Sequence, residues 1–236
     1  MGEGAPREGP DLRERARHEG SAAINTNIKP VVVFDLGGVL IDWDPRYLYR
    51  NLFDDESEME RFLAEVTTPE WNRRHDAGRR WEEGIAALSA QHPDQADLIA
   101  AHYGRWEEML AGPISGTVEI LGKLVAAGYE VHALTNWSSQ TFPIARERYE
   151  FLDWFQTIVV SGEERLVKPD PRLYRLLLDR IGHDAGNCIF IDDAAVNVDA
   201  AGRLGFDTIR FRSPQQLGDE LAVRGIVLDR DVRRHG

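Results

Sequence analysis

Four short apolar runs rich in Val, Ile and Phe punctuate the chain at 30–35, 129–134, 157–160 and 188–192, and a weaker fifth covers 207–211. Unbroken apolar runs of this length predict strands buried on both faces, as in a parallel sheet. Helical spacing lies between them. Residues 117–127 place Val118, Leu121, Leu124 and Val125 on one face, and 171–181 do the same with Leu173, Leu176, Leu177 and Ile181. Asp170 stands where it caps the second of these helices, with Pro171 at the first helical position. A shorter pattern covers 197–204. Each pattern stops at a glycine, Gly128, Gly182 or Gly205, a residue that accepts the left-handed conformation. Strand, helix, glycine stop, strand predicts an α/β fold built on a doubly wound, Rossmann-like parallel sheet.

The alternation fails once. The segment between the first two strands is far longer than a βα crossover needs. It reads as helices around 47–53, 56–66, 70–74, 81–91 and 95–110. The expected organisation is therefore a core of 30–44 and 113–236 with a helical cap subdomain, 45–112, inserted over the site. Trp43, Trp71, Trp81 and Trp106 flank or lie within the insertion, where aromatic side chains can hold a substrate or simply build its core.

Composition narrows the partners. A formal charge of -12 leaves no electrostatic footprint for nucleic acid, and a bilayer surface would repel it. Any phosphate site must build its own local positive field. Cys188 is the single cysteine, so no intrachain disulfide exists, and its apolar surroundings at 187–191 predict a small buried hydrophobe. Residues 1–29 are rich in Gly, Pro, Arg and Glu and have no hydrophobic segment, which predicts a disordered tail and not a signal peptide. A reducing cytoplasm is the expected compartment, with no nucleic-acid or membrane partner and a monomer or homodimer as the assembly.

Ligands of open α/β sheets bind beyond the carboxyl ends of the strands. The first strand ends on Asp35, followed by Leu36-Gly37-Gly38, where glycines let backbone amides approach an anion. The second delivers Thr135 and Asn136. After the third come Ser161-Gly162 and then Lys168-Pro169. The fourth delivers Asp192 and Asp193. Two adjacent carboxylates beyond an apolar strand repel unless a cation or hydrogen bonds compensate. The histidines show no ligand spacing, and His75 and His132 read as structural or exposed.

These stations, in this order, resemble the haloacid dehalogenase-like hydrolase superfamily over about residues 30–212. Phe34-Asp35-Leu36-Gly37-Gly38-Val39 and Ile191-Asp192-Asp193-Ala194-Ala195-Val196-Asn197 are most similar to its sugar-phosphate phosphatase branch, which includes bacterial glucose-1-phosphate phosphatases. The resemblance implies a phosphatase of small phosphorylated metabolites. Asp35 matches the nucleophile that forms an aspartyl-phosphate, and Lys168 the lysine that neutralises phosphate and orients it. Thr135 and Asn136 match the hydroxyl and amide that hold a phosphoryl oxygen, with Leu36 and Gly37 of the first loop also at the phosphate. The implied cofactor is Mg2+, with Asp193 and Asp35 as direct ligands, the carbonyl of Gly37 beside them, and Asp192 binding through water. Asn197 sits where the family often has another Asp supporting the metal shell.

Gly37 also occupies the position of the family's general acid/base Asp, and there the pattern breaks. A carbonyl ligand needs no side chain, so the metal site survives. The proton donor does not, and such a group is worth roughly 10²–10⁴ in rate. Three readings follow. The first is a phosphatase with another proton carrier (Asp42, Asp44, a cap residue or water) or with leaving groups that need little protonation. The second is a 2-haloacid dehalogenase, a branch that also lacks the second Asp, works without metal, and usually has non-acidic side chains at the Asp192-Asp193 station. The third is a non-catalytic phosphometabolite-binding protein. The paired carboxylates favour the first.

Overall fold

The computed structural model describes Met1 and residues 29–228, so the tail expected over 1–29 lies almost wholly outside the described residues. The central element is β1 (Val31–Phe34), all four residues of which are buried. Alternate side chains serve opposite faces, as the strand's period of two requires. Val32 and Phe34 join one apolar cluster, and Val31 and Val33 join the other.

After β1 the chain makes a short strand, β2 (Ile41–Trp43). It then enters the helical segment α1 (Arg46–Tyr49), α2 (Glu56–Glu65), α3 (Pro69–Asp76), α4 (Trp81–Ser89) and α5 (Ala96–Gly104), and leaves through β3 (Leu110–Pro113). β2 and β3 pair antiparallel, Ile41 opposite Pro113 and Asp42 opposite Gly112. Entry to and exit from the helices therefore run side by side. α3, α4 and α5 pack around Trp81, on whose indole the His75 ring stacks with centroids 3.8 Å apart. Gly84 permits this packing, since a Cβ there would lie 2.0 Å from His75 Cε1.

The remaining elements complete the sheet: α6 (Ser115–Ala126), β4 (Val131–Thr135), α7 (Phe142–Arg148), β5 (Thr157–Val160), α8 (Ser161–Glu164), α9 (Pro171–Ile181), β6 (Cys188–Asp192), α10 (Ala195–Arg203), β7 (Asp207–Arg210) and α11 (Pro214–Val223). The five-stranded order is β5-β4-β1-β6-β7, with every pairing parallel. The order reverses beside β1, which sets Asp35 at the switch point where ligands of such sheets bind. α9 shows how the sequence builds one layer. Asp170 accepts the Arg172 N–H, Pro171 opens the helix, and Gly182 closes it in the left-handed region. Leu173, Tyr174 and Leu177 turn inward against the sheet, each such burial contributing about 1.5–3 kcal/mol.

The five strands fall within two residues of the apolar runs, whereas several helices differ from their spacing. The pattern at 95–110 is α5, a tight 3₁₀ turn at Trp106–Met109, and the first residue of β3. The pattern at 47–53 holds only the single turn α1. α7 and α11 are elements that the apolar spacing did not predict. Cys188 is buried, as are His75 and His132. No helix among the described residues is long and apolar enough to cross a membrane.

Candidate active site

Asp35 is fixed from both ends. Its N–H donates to the Ile191 carbonyl of β6 at 2.8 Å. Its Oδ1 accepts the Leu36 N–H at 2.7 Å and the Lys168 ammonium at 2.9 Å. Both contacts fall on one oxygen, and Oδ2 remains on the open side. Leu36 contributes this amide while its side chain is fully buried in the core.

Lys168 arrives from the loop between α8 and α9 and is buried between two carboxylates. Its Nζ lies 2.7 Å from Asp192 Oδ2 and 2.9 Å from Asp35 Oδ1. Burial opposes the ammonium's charge, but Asp192 and Asp35 outweigh it and raise its pKa. Asn136 sets the backbone of this lysine. Its Oδ1 accepts the Lys168 N–H at 2.8 Å and its Nδ2 donates to the Lys168 carbonyl at 3.0 Å. The carboxamide, expected to hold a phosphoryl oxygen, is instead a strut between two loops. Thr135, the last residue of β4, is buried, and its Oγ1 has no hydrogen-bond partner among the described residues. An orphaned buried hydroxyl invites an external acceptor or donor.

Asp192 lies beneath this layer, fully buried, and both its oxygens are engaged. Oδ1 accepts from the Ala194 N–H and the Asn197 amide, and Oδ2 accepts from Lys168 and the same amide. Asn197, where an Asp would be common, therefore donates to a carboxylate that a second anion would repel. Asp193 stands exposed at the rim. Asp35, Asp192 and Asp193 each offer an oxygen within 4.8 Å of the others. Burial raises the Asp35 carboxyl to about 7, with Lys168 pulling it down and Asp192 and Asp193 adding to the rise. Burial and then Asp192 also raise Asp193. Gly38, at φ +73°, brings the first loop against Asp193; a Cβ there would sit 2.6 Å from Asp193 Oδ2.

Above these residues lies a cavity of about 100 Å³. Gly37, Asn136 and Thr141 line its floor side, and Trp43, Trp81, Trp106 and Trp137 contribute four indoles to its walls. Asn72 and Asp76, both on α3, complete it. A larger cavity of about 550 Å³ among the helices shares Trp43 and Asn72 with it. Trp81 ties the helices to the sheet, since its Nε1 donates to Ser138 Oγ at 3.0 Å and its N–H to Gln140 Oε1 at 2.8 Å. Ser161 Oγ adds a bond to the Asp76 carbonyl at 2.6 Å.

Every candidate residue from the sequence gathers at this one strand-end site: Asp35, Leu36, Gly37, Thr135, Asn136, Lys168, Asp192 and Asp193. Trp43, Trp81 and Trp106 reach the cavity, while Trp71 packs in the helical core. Sequence reasoning missed Trp137 and Asp76. Trp137 follows Thr135-Asn136 directly, and that adjacency was its only signal. Asp76 lies just beyond the apolar pattern of its helix, and nothing local marked it.

The chain is similar to known hydrolases. A sesquiterpene phosphatase, AstK of Aspergillus oryzae, is 27% identical over 173 residues, covering 73% of this chain and 85% of that protein. The (S)-2-haloacid dehalogenase 4A of Burkholderia cepacia is 30% identical over 126 residues, 53% of this chain and 54% of its own. The crystal structure of the HAD family enzyme BT-2542 from Bacteroides thetaiotaomicron, in a magnesium complex, shares the fold with a TM-score of 0.62 at 20% identity, covering 78% of this chain and 94% of that one. The haloacid dehalogenase-like hydrolase model matches residues 29–205, and the chain belongs to that family of enzymes.

Proposed function

We propose that this hydrolase is a magnesium-dependent phosphatase that acts on a small phosphorylated metabolite through an aspartyl-phosphate on Asp35. One observation carries the reading: an ammonium, Lys168, is buried between Asp35 and Asp192 while a third carboxylate, Asp193, stands at the rim. A site for halide displacement at carbon has no use for that third carboxylate.

The donor set suits magnesium, which takes hard oxygen ligands and usually keeps several waters beside one or two carboxylates. Asp35, Asp193 and the Gly37 carbonyl are the groups that would hold it; Asp192, expected to bind through water, instead spends both oxygens on Lys168, Ala194 and Asn197. The missing side chain at Gly38 leaves Asp193 the room to serve. When bound, the ion neutralises charge on the phosphoryl oxygens.

The chain's own residues do the rest. Asp35 Oδ2 attacks phosphorus, and its Oδ1 is restrained by Lys168 and the Leu36 amide. Holding the nucleophile in one orientation removes part of the entropic barrier. Thr135 Oγ1 and the main-chain N–H groups of Gly37 and Asn136 receive the phosphoryl oxygens, and Lys168 offsets their charge. The alcohol departs into the tryptophan-walled cavity. Water then cleaves the acyl phosphate and restores Asp35. Flat indoles suit the C–H face of a sugar ring, and Asn72, Asp76 and Thr141 provide polar contacts for its hydroxyls, which supports a sugar phosphate as the specific substrate.

The test is p-nitrophenyl phosphate turnover with magnesium and with a chelator, in wild type and Asp35→Asn. Magnesium-dependent phosphate release that the substitution abolishes is the expected result. The second reading, a 2-haloacid dehalogenase, draws on the similarity to a dehalogenase over half its length and on Gly37. Halide release from 2-chloropropionate, unaffected by chelator, would establish it and overturn the phosphatase.

A further inference from the structure

Gly37 leaves the first loop without a side chain where a proton donor for the leaving group would stand. The next carboxylates in sequence are already occupied. Asp42 accepts the Tyr47 hydroxyl on both oxygens, at 3.1 and 3.0 Å, and Asp44 accepts the Arg46 N–H at 2.9 Å and its guanidinium at 3.2 Å. Both belong to the hinge into the helices, and neither lines the cavity.

Asp76 does line it, with Gly37 and Asn136 on the same small space. It is the last residue of α3 and is half-buried. Its carboxyl Oδ2 accepts the Asn72 amide at 3.1 Å, and its main-chain carbonyl accepts the Ser161 hydroxyl at 2.6 Å. A carboxyl has about four lone-pair sites, so the Asn72 bond orients it and leaves an edge for the cavity. Trp81 Nε1 donates to Ser138 Oγ in the loop that carries Asn136, so the helices that carry Asp76 are tied to the phosphate station.

We propose that Asp76 is the general acid and base of this enzyme, a carboxyl delivered by the inserted helices in place of the one absent at Gly37. The inference rests on the phosphatase reading. In the first displacement Asp35 Oδ2 bonds to phosphorus, the ester P–O bond breaks, and Asp76 gives its proton to the departing alkoxide oxygen. In the second, Asp76 takes a proton from the water that attacks the aspartyl-phosphate. Inorganic phosphate leaves, and Asp35 returns as a carboxylate beside a protonated Asp76. The local environment supports the protonated form. Burial raises this carboxyl to about 7, against the Ser138 N–H and Arg73, which pull it down.

The experiment compares kcat/KM of the full chain with magnesium on two esters, glucose 6-phosphate and p-nitrophenyl phosphate. This constant reports phosphoryl transfer to Asp35, the step in which the leaving group needs its proton. An alkoxide needs one and p-nitrophenolate does not. Asp76→Asn should lower kcat/KM on the alkyl ester by about 10²–10⁴, and by at least roughly tenfold more than on the aryl ester. Adding Gly37→Asp, whose Cβ meets nothing within 4 Å, should recover part of the alkyl loss. Equal losses on both esters would reduce Asp76 to a strut between α3 and the sheet and overturn the proposal. A wild type that cleaves the aryl ester but no alkyl phosphate would overturn it too, because no leaving group would then need the proton. If wild type cleaves neither ester, the phosphatase reading itself fails.

Discussion

His102 gives the helical segment a specific sensitivity to acid. The ring is buried, 5.2 Å from Trp71 and 5.4 Å from Trp81 between ring centroids. Its nitrogens meet the Tyr49 hydroxyl at 3.3 Å and Asn72 Oδ1 at 3.4 Å. Neither partner is anionic, and burial, followed by repulsion from His75, pushes the imidazole from 6.5 down to about 3. A folded pKa below the unfolded one means that the unfolded chain binds more protons on acidification. The stability contribution is therefore intact above about 6.5 and is lost as pH falls towards 3. At pH 5 the unfolded imidazole is almost wholly charged and the folded one neutral. With 1.36 kcal/mol per pKa unit, the cost between pH 7 and pH 5 is about 2 kcal/mol. The comparison is His102→Gln against wild type by urea unfolding at both pH values. Asp35 and Asp76, raised in the folded state, gain stability in the same window, but they are common to both proteins and cancel in the difference. His75, held near 4 mainly by burial, also cancels because both rings are neutral in the folded protein at pH 5. The variant should lose about 2 kcal/mol less than wild type on acidification. Equal pH dependence would show that His102 is charged or exposed in the folded protein.

Two glycines supply further tests. Gly84→Ala places a Cβ 2.0 Å from His75 Cε1, on a ring that is itself stacked on Trp81 and has no exposed direction to move. The expected destabilisation is about 1–3 kcal/mol, as for other overpacked cores, and an unchanged urea midpoint would mean that the ring yields freely. Gly38→Ala drives a Cβ to 2.6 Å from Asp193 Oδ2 at a positive φ. Magnesium affinity measured by calorimetry without substrate should fall roughly 10–100-fold, the effect typical of displacing a ligand's support, and unchanged affinity would remove Asp193 from the metal site.

The sheet was legible because its strands are buried on both faces, so each reads as an unbroken apolar run that no surface requirement interrupts. The ribbon of β2 and β3 was not. Its strands are three and four residues long, too short for alternation to register. α11 carried a usable signal, with Ser213 capping, Pro214 at the first turn, and Leu217 and Leu221 four apart and buried. At the site, residue types at strand ends located the chemistry, but spacing says nothing of which atoms are already engaged. Asn136 spends its carboxamide on the Lys168 backbone, and Asp192 spends both oxygens on neighbours. Asp76 was invisible for a related reason: its significance comes from sharing a cavity with Asn136, 60 residues away in sequence, a distance that no local pattern encodes.

If the helical segment is an inserted cap, the antiparallel ribbon at its mouth makes the fold modular. Because β2 and β3 run side by side, everything between them leaves and rejoins the sheet at one place, and its length has no bearing on how Asp35 meets β6. A lineage can exchange the whole helical cassette and keep the strand-end machinery intact. Four of the residues lining the cavity, Asn72, Asp76, Trp81 and Trp106, travel inside that cassette. If the proton donor travels with them, one recombination event replaces leaving-group recognition and leaving-group chemistry together, and a new substrate arrives already matched to its acid.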